Sequence, residues 1–528
     1  HNPDRWFCTD FYAIYQTTDA GAHWALSADG VEVTVLFTLG QDPTDAGVVH
    51  LGMADNSLFL STDGGARFSR GSVGNLNMKT IAVAPSDPRR VYAAGDDPPG
   101  RPIGAVNQVW ISPDRGQSWV KSPLRGLPDM NKSICNSIAV DPKDPYTVYV
   151  TITGPVGEGK GGVYKSSDGG DHWTWLGQGL PQNKVFFEWW NLFQGYGREI
   201  AAGFDGQLVT FGSGGVYRFD AGSWKPVSLL PGGAYAGNVK SVVADVTHPG
   251  RFFLAAEGSG ATGGVFRSED GGATWQRVLS DSTRHVAVDM AKPNRVVAGT
   301  RDGVLLSSDG GTTWQPLDRS LPMRFYPVVG FAGDRVLAAT IGNGSFWLPL
   351  TPEAAQPVTA RAVTPAYAQA AAQGLSLIVN GSMSAGAETP EGWTGPSRLE
   401  VARDTREFKS GPASLRVTSP SETSSGQVKQ SFAIADPTPP LVVGGWLKTA
   451  GDLKSVVISL QCYGGGKQTG YIWVASAAGE TDWREFKRGV ALPAGTTSAN
   501  FVVSLQGQGQ MWLDEVNVAP LALKPAAP

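Results

Sequence analysis

An eight-residue pattern, S/T-x-D-x-G-x-x-W, recurs six times along this chain and constrains its fold more than any other feature. The copies begin at Thr17, Ser61, Ser112, Ser166, Ser268 and Ser307, and the second copy ends in phenylalanine. A shortened seventh copy, residues 219–224, fills the widest gap, so that successive aspartates lie 39 to 54 residues apart. Repeats of about 40 to 50 residues are typical of β-propeller blades. The pattern therefore predicts an all-β propeller over residues 1–350.

Each octet is flanked by short runs of alternating hydrophobicity, such as residues 90–94 and 108–111. Such runs predict four-stranded antiparallel blades in which the octet forms a hairpin turn. In that turn the aspartate accepts backbone hydrogen bonds and a glycine adopts a positive φ, so the octet aspartates are predicted to be structural. Residues 328–350 carry no octet, and too few residues precede the first octet for three strands. Both seven and eight blades fit the sequence.

The composition changes after residue 350. Residues 351–374 are rich in alanine, proline, threonine and glutamine and have no periodicity, which predicts an extended linker. Residues 375–528 again show short alternating runs between turn signals and predict a β-sandwich of the jelly-roll type. Charged residues make up only 17% and aromatic residues 10%, which favours an all-β chain with aromatic-rich surfaces.

Composition and spacing exclude several classes of function. A net charge of −4 provides no basic surface for nucleic acid, so no nucleic-acid partner is expected. No apolar stretch reaches the length of a membrane helix. The histidines show no metal-ligand spacing and no glycine-rich phosphate loop is present, so neither a metal nor a cofactor is expected. The three cysteines are Cys8, Cys135 and Cys462, too far apart to indicate a zinc site or a disulfide framework.

The octets resemble the Asp-box (BNR) repeats of sialidases and related glycosidases, and the N-terminal residues resemble a narrower group. Residues 2–7, 14–15, 31–35 and 48–55 are similar to the opening blades of the second propeller of glycoside hydrolase family 74, the xyloglucanases. The resemblance implies two tandem propellers with a substrate cleft between them and one catalytic aspartate from each. Asp55 stands at the place of the second propeller's general acid, although Asn56 and Ser57 replace the family's following glycines. The segment around Asp10 is similar to the one that carries the other aspartate.

An inverting glycosidase needs one carboxyl group that protonates the leaving oxygen and a second that activates water. Asp55 and Asp10 are the candidates for these catalytic roles, and the alternative is that both are ordinary turn residues. Two groups of aromatic side chains are candidates for stacking on sugar rings. One group surrounds Asp10 and the other lies in residues 186–196. The alternative interpretation of residues 186–196 is a buried hydrophobic plug between blades. These substrate-binding candidates are Trp6, Phe11, Tyr12, Phe186, Trp189, Trp190 and Tyr196.

Short segments of the second domain resemble a carbohydrate-binding-module jelly roll. They are residues 379–382, 391–393, 410–415, 445–448 and 512–516. Within this domain Tyr471 and Trp473 are predicted to be exposed and to bind substrate, whereas Trp446 and Trp512 are predicted to be strand residues of the core.

Together these resemblances imply a secreted or cell-surface protein of bacterial type that acts on a polysaccharide. The leading expectation is an inverting endo-hydrolase of the xyloglucanase type with an appended glycan-binding module. The alternative is a non-catalytic propeller that binds glycan or protein. Because the resemblance begins at the second propeller, an upstream or separate propeller is expected as a partner over the face bearing Asp10, Asp55 and residues 186–196.

Overall fold

A computed structural model describes most of the chain. The described residues are 4, 6–9, 14–23, 25–26, 35–54, 57–71, 73, 77–96, 108–187, 198–213, 215–229, 238–258, 262–292, 294–317, 326–339, 345–351, 363–435 and 439–521. The chain folds into two compact units, one formed by His1–Trp110 with Leu124–Ala362 and one formed by Ile111–Pro123 with Val363–Pro528. No helix in the described ranges is long and apolar enough to cross a bilayer.

The N-terminal strands form radial antiparallel sheets. A separate three-stranded sheet comes first, with β1 Trp6–Thr9, β2 Ile14–Thr17 and β3 Ala25–Leu26. Blade 1 contains β4 Leu36–Gln41, β5 Val49–Met53, β6 Ser57–Ser61 and β7 Ser69–Arg70; blade 2 contains β8 Asn77–Val83, β9 Val91–Asp96, β10 Gln108–Ser112 and β11 Val120–Lys121. Blade 3 contains β12 Cys135–Val140, β13 Val148–Ile152, β15 Gly162–Ser166 and β16 Thr174–Trp175, beside a small sheet of β14 Gly154–Pro155 and β17 Val185–Phe187.

The remaining blades follow the same order. Blade 4 contains β18 Ile200–Ala202, β19 Leu208–Gly212, β20 Gly215–Asp220 and β21 Ser223–Val227; blade 5 contains β22 Asn238–Ala244, β23 Phe252–Glu257, β24 Gly264–Ser268 and β25 Gln276–Leu279. Blade 6 contains β26 Thr283–Val288, β27 Val296–Thr300, β28 Gly303–Ser307 and β29 Gln315–Pro316; blade 7 contains β30 Val328–Phe331, β31 Arg335–Ala339 and β32 Ser345–Pro349.

Seven blades close into a ring. The first strand of each blade contacts the first strand of the next, and β30 contacts β4. The fold is therefore an all-β seven-bladed propeller followed by a C-terminal β-sheet domain, which resolves the choice between seven and eight blades. The first octet lies in the sheet of β1 to β3, outside this ring, whereas blade 7 belongs to the ring and carries no octet.

The boundary between blades 7 and 1 is held by side chains. In the described ring, no strand is shared between these two blades. Arg335 donates a hydrogen bond to the carbonyl oxygen of Gly64 at 2.9 Å. The Trp347 ring packs so closely over Gly65 that a Cβ there would lie 2.4 Å from it. We call this boundary the seam.

The six octet turns share one hydrogen-bond pattern. The hydroxyl group of the first residue donates to the aspartate Oδ1 at 2.6 to 2.9 Å. The same hydroxyl oxygen accepts the N–H of the glycine at the fifth position, whose φ lies between +82° and +94°. The N–H of the seventh residue also donates to Oδ1. Each aspartate is therefore used within its own turn, as the sequence predicted.

Acid should weaken these turns. The Thr313 hydroxyl and backbone N–H lower the pKa of Asp309 from 3.8 to about 2. A carboxyl group whose pKa is lowered by folding stabilises the protein above its unfolded pKa, and this stabilisation is lost as the pH falls towards the folded pKa. We expect the free energy of unfolding to decline between about pH 4 and pH 2, with a shallower decline in Asp309→Asn and Thr313→Val. Unfolding by urea at a series of pH values measures the slope, and an unchanged slope in both variants would contradict the assignment.

A second repeated turn was not recognised in the sequence. An aspartate directly follows the inner strand of four blades, and its Oδ1 accepts the N–H of the residue two positions later at 2.8 to 3.0 Å. These aspartates are Asp42, Asp141, Asp245 and Asp289. Because neighbouring strands are antiparallel, these turns and the octet turns lie at the same end of the blades. The connections between second and third strands lie at the opposite end.

The C-terminal unit is built on two long paired strands. Its elements are α1 Ala366–Ala372, β33 Glu400–Asp404, β34 Ser414–Ser419, β35 Ser425–Ala433, β36 Leu441–Gly464, β37 Lys467–Ala477, β38 Thr481–Val490 and β39 Ser498–Pro520. The first half of β36 pairs with β38 and the second half with β37, while β39 pairs along both halves. On the other side of β39, β34 and β35 both pair with it, and β33 pairs with β34 to form the edge. Side chains from both halves share one hydrophobic core.

A helix occupies part of the predicted linker. Residues 366–372 form α1 instead of an extended segment, because its small residues and Tyr367 cover an apolar patch that includes Val442 and Ala519. The Tyr367 hydroxyl donates to Glu485 Oε1 at 2.7 Å. Gly444 lies directly beneath the ring, where a Cβ would be 2.2 Å from Tyr367. The prediction of an extended linker is therefore wrong for these residues.

The contact between Tyr367 and Gly444 leads to a stability prediction. We expect Gly444→Ala to destabilise the C-terminal unit by about 1–3 kcal/mol, because the added methyl group overpacks the site beneath the ring. In the Tyr367→Ala background the same change should cost much less, which a double-mutant cycle of chemical unfolding measures. Equal costs in both backgrounds would show that Tyr367 does not lie on this glycine.

Candidate functional site

Most of the predicted propeller site falls outside the described residues. Asp10 and Asp55 lie there, as do Phe11, Tyr12, Trp189, Trp190 and Tyr196. The nearest described strand ends on either side of Asp55 are Met53 and Ser57, at the end of blade 1 opposite to its octet turn. The catalytic and binding roles of these residues stay predictions.

Two of the predicted substrate-binding aromatic residues of the propeller, Trp6 and Phe186, are described, and they differ in accessibility. Trp6 in β1 is 48% exposed. Phe186 in β17 is only 1% exposed, and its ring packs edge-on against Phe187 at 4.9 Å and Tyr217 at 5.3 Å between ring centroids. This packing places Phe186 in the core between blades 3 and 4, which is the buried alternative that the sequence left open.

Tyr471 and Trp473 of the C-terminal unit are exposed aromatic side chains on one strand. They are 53% and 48% exposed. Both lie on β37 two residues apart, and alternate residues of a strand point to the same face of the sheet. Ile472 between them pairs with the core residue Leu460 and packs against the core. The two rings therefore point to the outer face of this sheet.

Polar side chains continue this outer face across three more strands. Tyr471 pairs with Gln461 on β36, Gln461 with Asn500 on β39, and Asn500 with Ser431 on β35. The Ser431 hydroxyl donates to Asn500 Oδ1 at 2.7 Å. The next row starts at Trp473 and ends at the exposed Lys429, and its two middle residues, Ser459 and Val502, are buried. We call the surface formed by Tyr471, Trp473, Gln461, Asn500, Ser431 and Lys429 the aromatic face.

The aromatic face combines flat apolar rings with hydrogen-bonding groups. The Arg488 guanidinium lies 5.3 Å from the centre of the Trp473 ring, which restrains the ring by a cation–π contact. Burial lowers the pKa of Arg488. The Gln461 and Asn500 amides and the Ser431 hydroxyl are groups that pair with hydroxyl-rich ligands, and exposed rings offer a stacking surface. The sequence identified the two rings but missed the polar row, whose only signal is the alternation along β35, β36 and β39.

Trp446 and Trp512 lie on the other half of the sheet. Trp512 is 8% exposed and its Nε1 donates to Asp404 at 3.1 Å, so it is buried as predicted. Trp446 is partly exposed, and the Lys409 ammonium group lies 4.2 Å from its ring centre. Since these aromatic side chains are engaged by neighbours from their own unit, they are less open to a ligand than Tyr471 and Trp473.

Among the residues that the structure describes, one group of side chains has atoms close enough to hold a metal ion. Ligand atoms of Asp168, Asp171 and His172 lie within 4.8 Å of one another. The octet turn already uses them: His172 Nδ1 contacts Asp168 at 2.9 Å and Arg125 pairs with Asp171 at 2.7 Å. These internal pairs account for the cluster without an ion.

Comparison with known proteins gives distant similarities. No family model matches the chain. A xyloglucanase from Paenibacillus sp is 25% identical over 284 residues, which cover 50% of this chain and only 23% of the xyloglucanase. Among solved structures, YCF48 from Cyanidioschyzon merolae is 15% identical with a TM-score of 0.42, covering 61% of this chain and 96% of that one. The GH74 enzyme of Niastella koreensis is 16% identical with a TM-score of 0.29 over 81% of this chain and 71% of that one. The CBM22-1 xylan-binding domain of Paenibacillus barcinonensis Xyn10C is 18% identical with a TM-score of 0.23 over 26% of this chain and 91% of that domain.

Proposed function

We propose that the protein acts on polysaccharides outside the cell and that its C-terminal unit holds the glycan on the aromatic face. The observation that carries this proposal is the pair of exposed rings, Tyr471 and Trp473, beside a continuous row of amide and hydroxyl groups. Two rings on one strand match a linear ligand with repeated apolar faces, and the row beside them supplies hydrogen bonds for its hydroxyl groups.

Binding of soluble xyloglucan and xylan tests this proposal. We expect Tyr471→Ala and Trp473→Ala each to weaken binding tenfold or more, because loss of an aromatic anchor at a binding surface costs about 2 kcal/mol. Affinity electrophoresis or titration calorimetry with the full chain measures the change. Phe408→Ala is a matched control, since Phe408 is an exposed aromatic residue of the same unit at 38% exposure and lies outside the aromatic face. Equal losses in all three variants, or undiminished binding in the first two, would refute the site.

For the propeller we propose an endo-hydrolase of the xyloglucanase type that inverts the anomeric carbon. Support comes from the similarity to the Paenibacillus xyloglucanase over half of this chain. In this proposal Asp55 protonates the leaving oxygen, and a second carboxylate, for which Asp10 is the candidate in this chain, activates water. Aromatic side chains would stack on the sugar rings of the bound polysaccharide. The proposed residues are Trp6, Phe11, Tyr12, Trp189, Trp190 and Tyr196. The upstream or separate propeller expected from the resemblance would supply the other wall of the cleft.

Release of new reducing ends from xyloglucan tests the hydrolase. We expect Asp55→Asn to abolish release while binding to the aromatic face is unchanged. If the wild-type chain releases none, alone or mixed with a partner propeller, a non-catalytic glycan-binding protein is the better description. That second function needs only the aromatic face.

A further inference from the structure

The seven inner strands of the propeller enclose a channel. It has a volume of about 90 Å³ and is lined mainly by valine, alanine and isoleucine from all seven blades. It extends beyond the ends of the inner strands, where Pro85, Val246 and Met290 line it. Among the described lining residues only Arg198 and His285 are ionisable.

Arg198 occupies a position that hydroxyl residues fill in earlier blades. In blades 1 to 3 a hydroxyl oxygen accepts an N–H from the inner strand of the next blade or from the residue just before that strand: Thr38 from Ile81, Thr80 from Ile138 and Ser137 from Glu199. In blade 4 the backbone carbonyl of Arg198 accepts the equivalent N–H, from Val242 at 2.9 Å. The guanidinium group is therefore not needed for the link between blades 4 and 5.

The Arg198 guanidinium has few partners in the channel. Its Nη2 donates to the carbonyl oxygen of Leu39 in blade 1 at 3.3 Å, which uses one of its five N–H donors. No carboxylate of the described residues lies within ion-pair distance of it. The neighbouring Glu199 carboxylate instead accepts hydrogen bonds from Asn136 and Thr151 of blade 3. The Arg198 side chain is partly exposed to the channel, its burial lowers its pKa, and a cation in apolar surroundings without a counter-ion is energetically costly.

His285 adds a neutral donor beside this cation. Its Nδ1 accepts the N–H of Val329 at 3.4 Å, so the ring proton is on Nε2. Burial, followed by the charge of Arg198, lowers the pKa of His285 to about 3. The imidazole is therefore uncharged near neutral pH, and among the lining residues that the structure describes Arg198 carries the positive charge.

We propose that the channel is a binding site for a small aliphatic carboxylate, whose carboxylate group pairs with the Arg198 guanidinium. The planar guanidinium matches a carboxylate in two parallel hydrogen bonds. The valine-rich wall accommodates a short alkyl chain. This site is separate from the aromatic face and does not depend on the function proposed above.

Thermal unfolding of the full chain tests the site. Sodium propionate is added at constant ionic strength to the wild type, to Arg198→Met and to Arg198→Lys. A ligand that binds only the folded state raises the melting temperature in a saturable manner. We expect a rise of several degrees for the wild type, a weaker response for Arg198→Lys and none for Arg198→Met. Arg267→Met is the control, because Arg267 donates to Gly310 on the outside of the ring, and it should respond like the wild type.

The choice of anion distinguishes a carboxylate site from a general charge effect. Propionate should bind more tightly than chloride or sulfate. Without added anion, Arg198→Met should melt no lower than the wild type, since it removes a charge that no carboxylate of the described residues pairs with. A propionate response that persists in Arg198→Met, one that chloride or sulfate matches, or none in the wild type would overturn the proposal. If Arg198→Met does not fold, an unweakened response in Arg198→Lys would overturn it equally.

Discussion

Replacing Arg295 with methionine should lower the free energy of unfolding by about 3–5 kcal/mol, because it leaves a buried carboxylate without its cation. Asp289 at the end of β26 is fully buried. Arg295 donates to Asp289 Oδ2 through Nε at 2.7 Å and also through Nη2. Gln41 of blade 1 donates to the other oxygen, Oδ1, at 3.0 Å. Asp334 of blade 7 accepts from Arg295 Nη1 at 2.6 Å.

These contacts join blades 6, 7 and 1 next to the seam. Loss of the Arg295 side chain should therefore also weaken the contact between the blades there. Lys292→Met is a suitable control, because Lys292 contacts the same Asp334 from a half-exposed position and such a pair contributes at most about 1 kcal/mol. Denaturant unfolding measures both variants. A loss in Arg295→Met no larger than that in Lys292→Met would mean that Asp289 is not held by this pair.

Glu199→Ala should lower the free energy of unfolding by about 3 kcal/mol by a related mechanism, because buried hydrogen-bond donors in a neighbouring blade lose their acceptor. Glu199 is only 4% exposed, and its carboxylate joins blade 4 to blade 3. It accepts from Asn136 Nδ2 at 3.1 Å and from Thr151 Oγ1 at 2.7 Å. Both donors are buried in the folded protein.

A double-mutant cycle isolates this link. The loss of unfolding free energy caused by Glu199→Ala should be smaller in the Thr151→Val background, where one of the two hydrogen-bond donors is already absent. Glu199→Gln, which keeps an acceptor and the side-chain volume, should cost less than Glu199→Ala. Additive costs for Glu199→Ala and Thr151→Val would show that the two side chains act independently.

The octets predicted the propeller because each encodes a complete turn within eight residues. The shortened copy was also informative, since residues 220–223 form the hairpin between β20 and β21 with Ala221 and Gly222 at positive φ. The number of blades was not predictable in this way. It depends on the contact between β30 and β4, nearly 300 residues apart, and on the first octet lying outside the ring. No local pattern reports such a long-range contact.

The candidate site shows the same division between local and long-range information. Tyr471 and Trp473 were predicted because alternation along one strand sets which side chains share a face. Gln461, Asn500 and Ser431 join them only through the register of four strands, which the sequence does not specify. Helix α1 was missed because its seven residues have little periodicity, and its position depends on Gly444, more than 70 residues later.

The seam has a consequence for how the propeller moves. Six of the seven boundaries between neighbouring blades are also crossed by the polypeptide, so separating those blades stretches a covalent connection. At the seam, blades 7 and 1 part once side-chain contacts such as that of Arg335 with Gly64 and of Trp347 with Gly65 are lost. Local opening follows the lowest free-energy boundary. Amide hydrogen exchange should therefore be fastest in the strands on either side of the seam and slowest in blade 4 across the ring. The propeller would then open locally at one boundary, and its seven blades would not be equivalent in their dynamics.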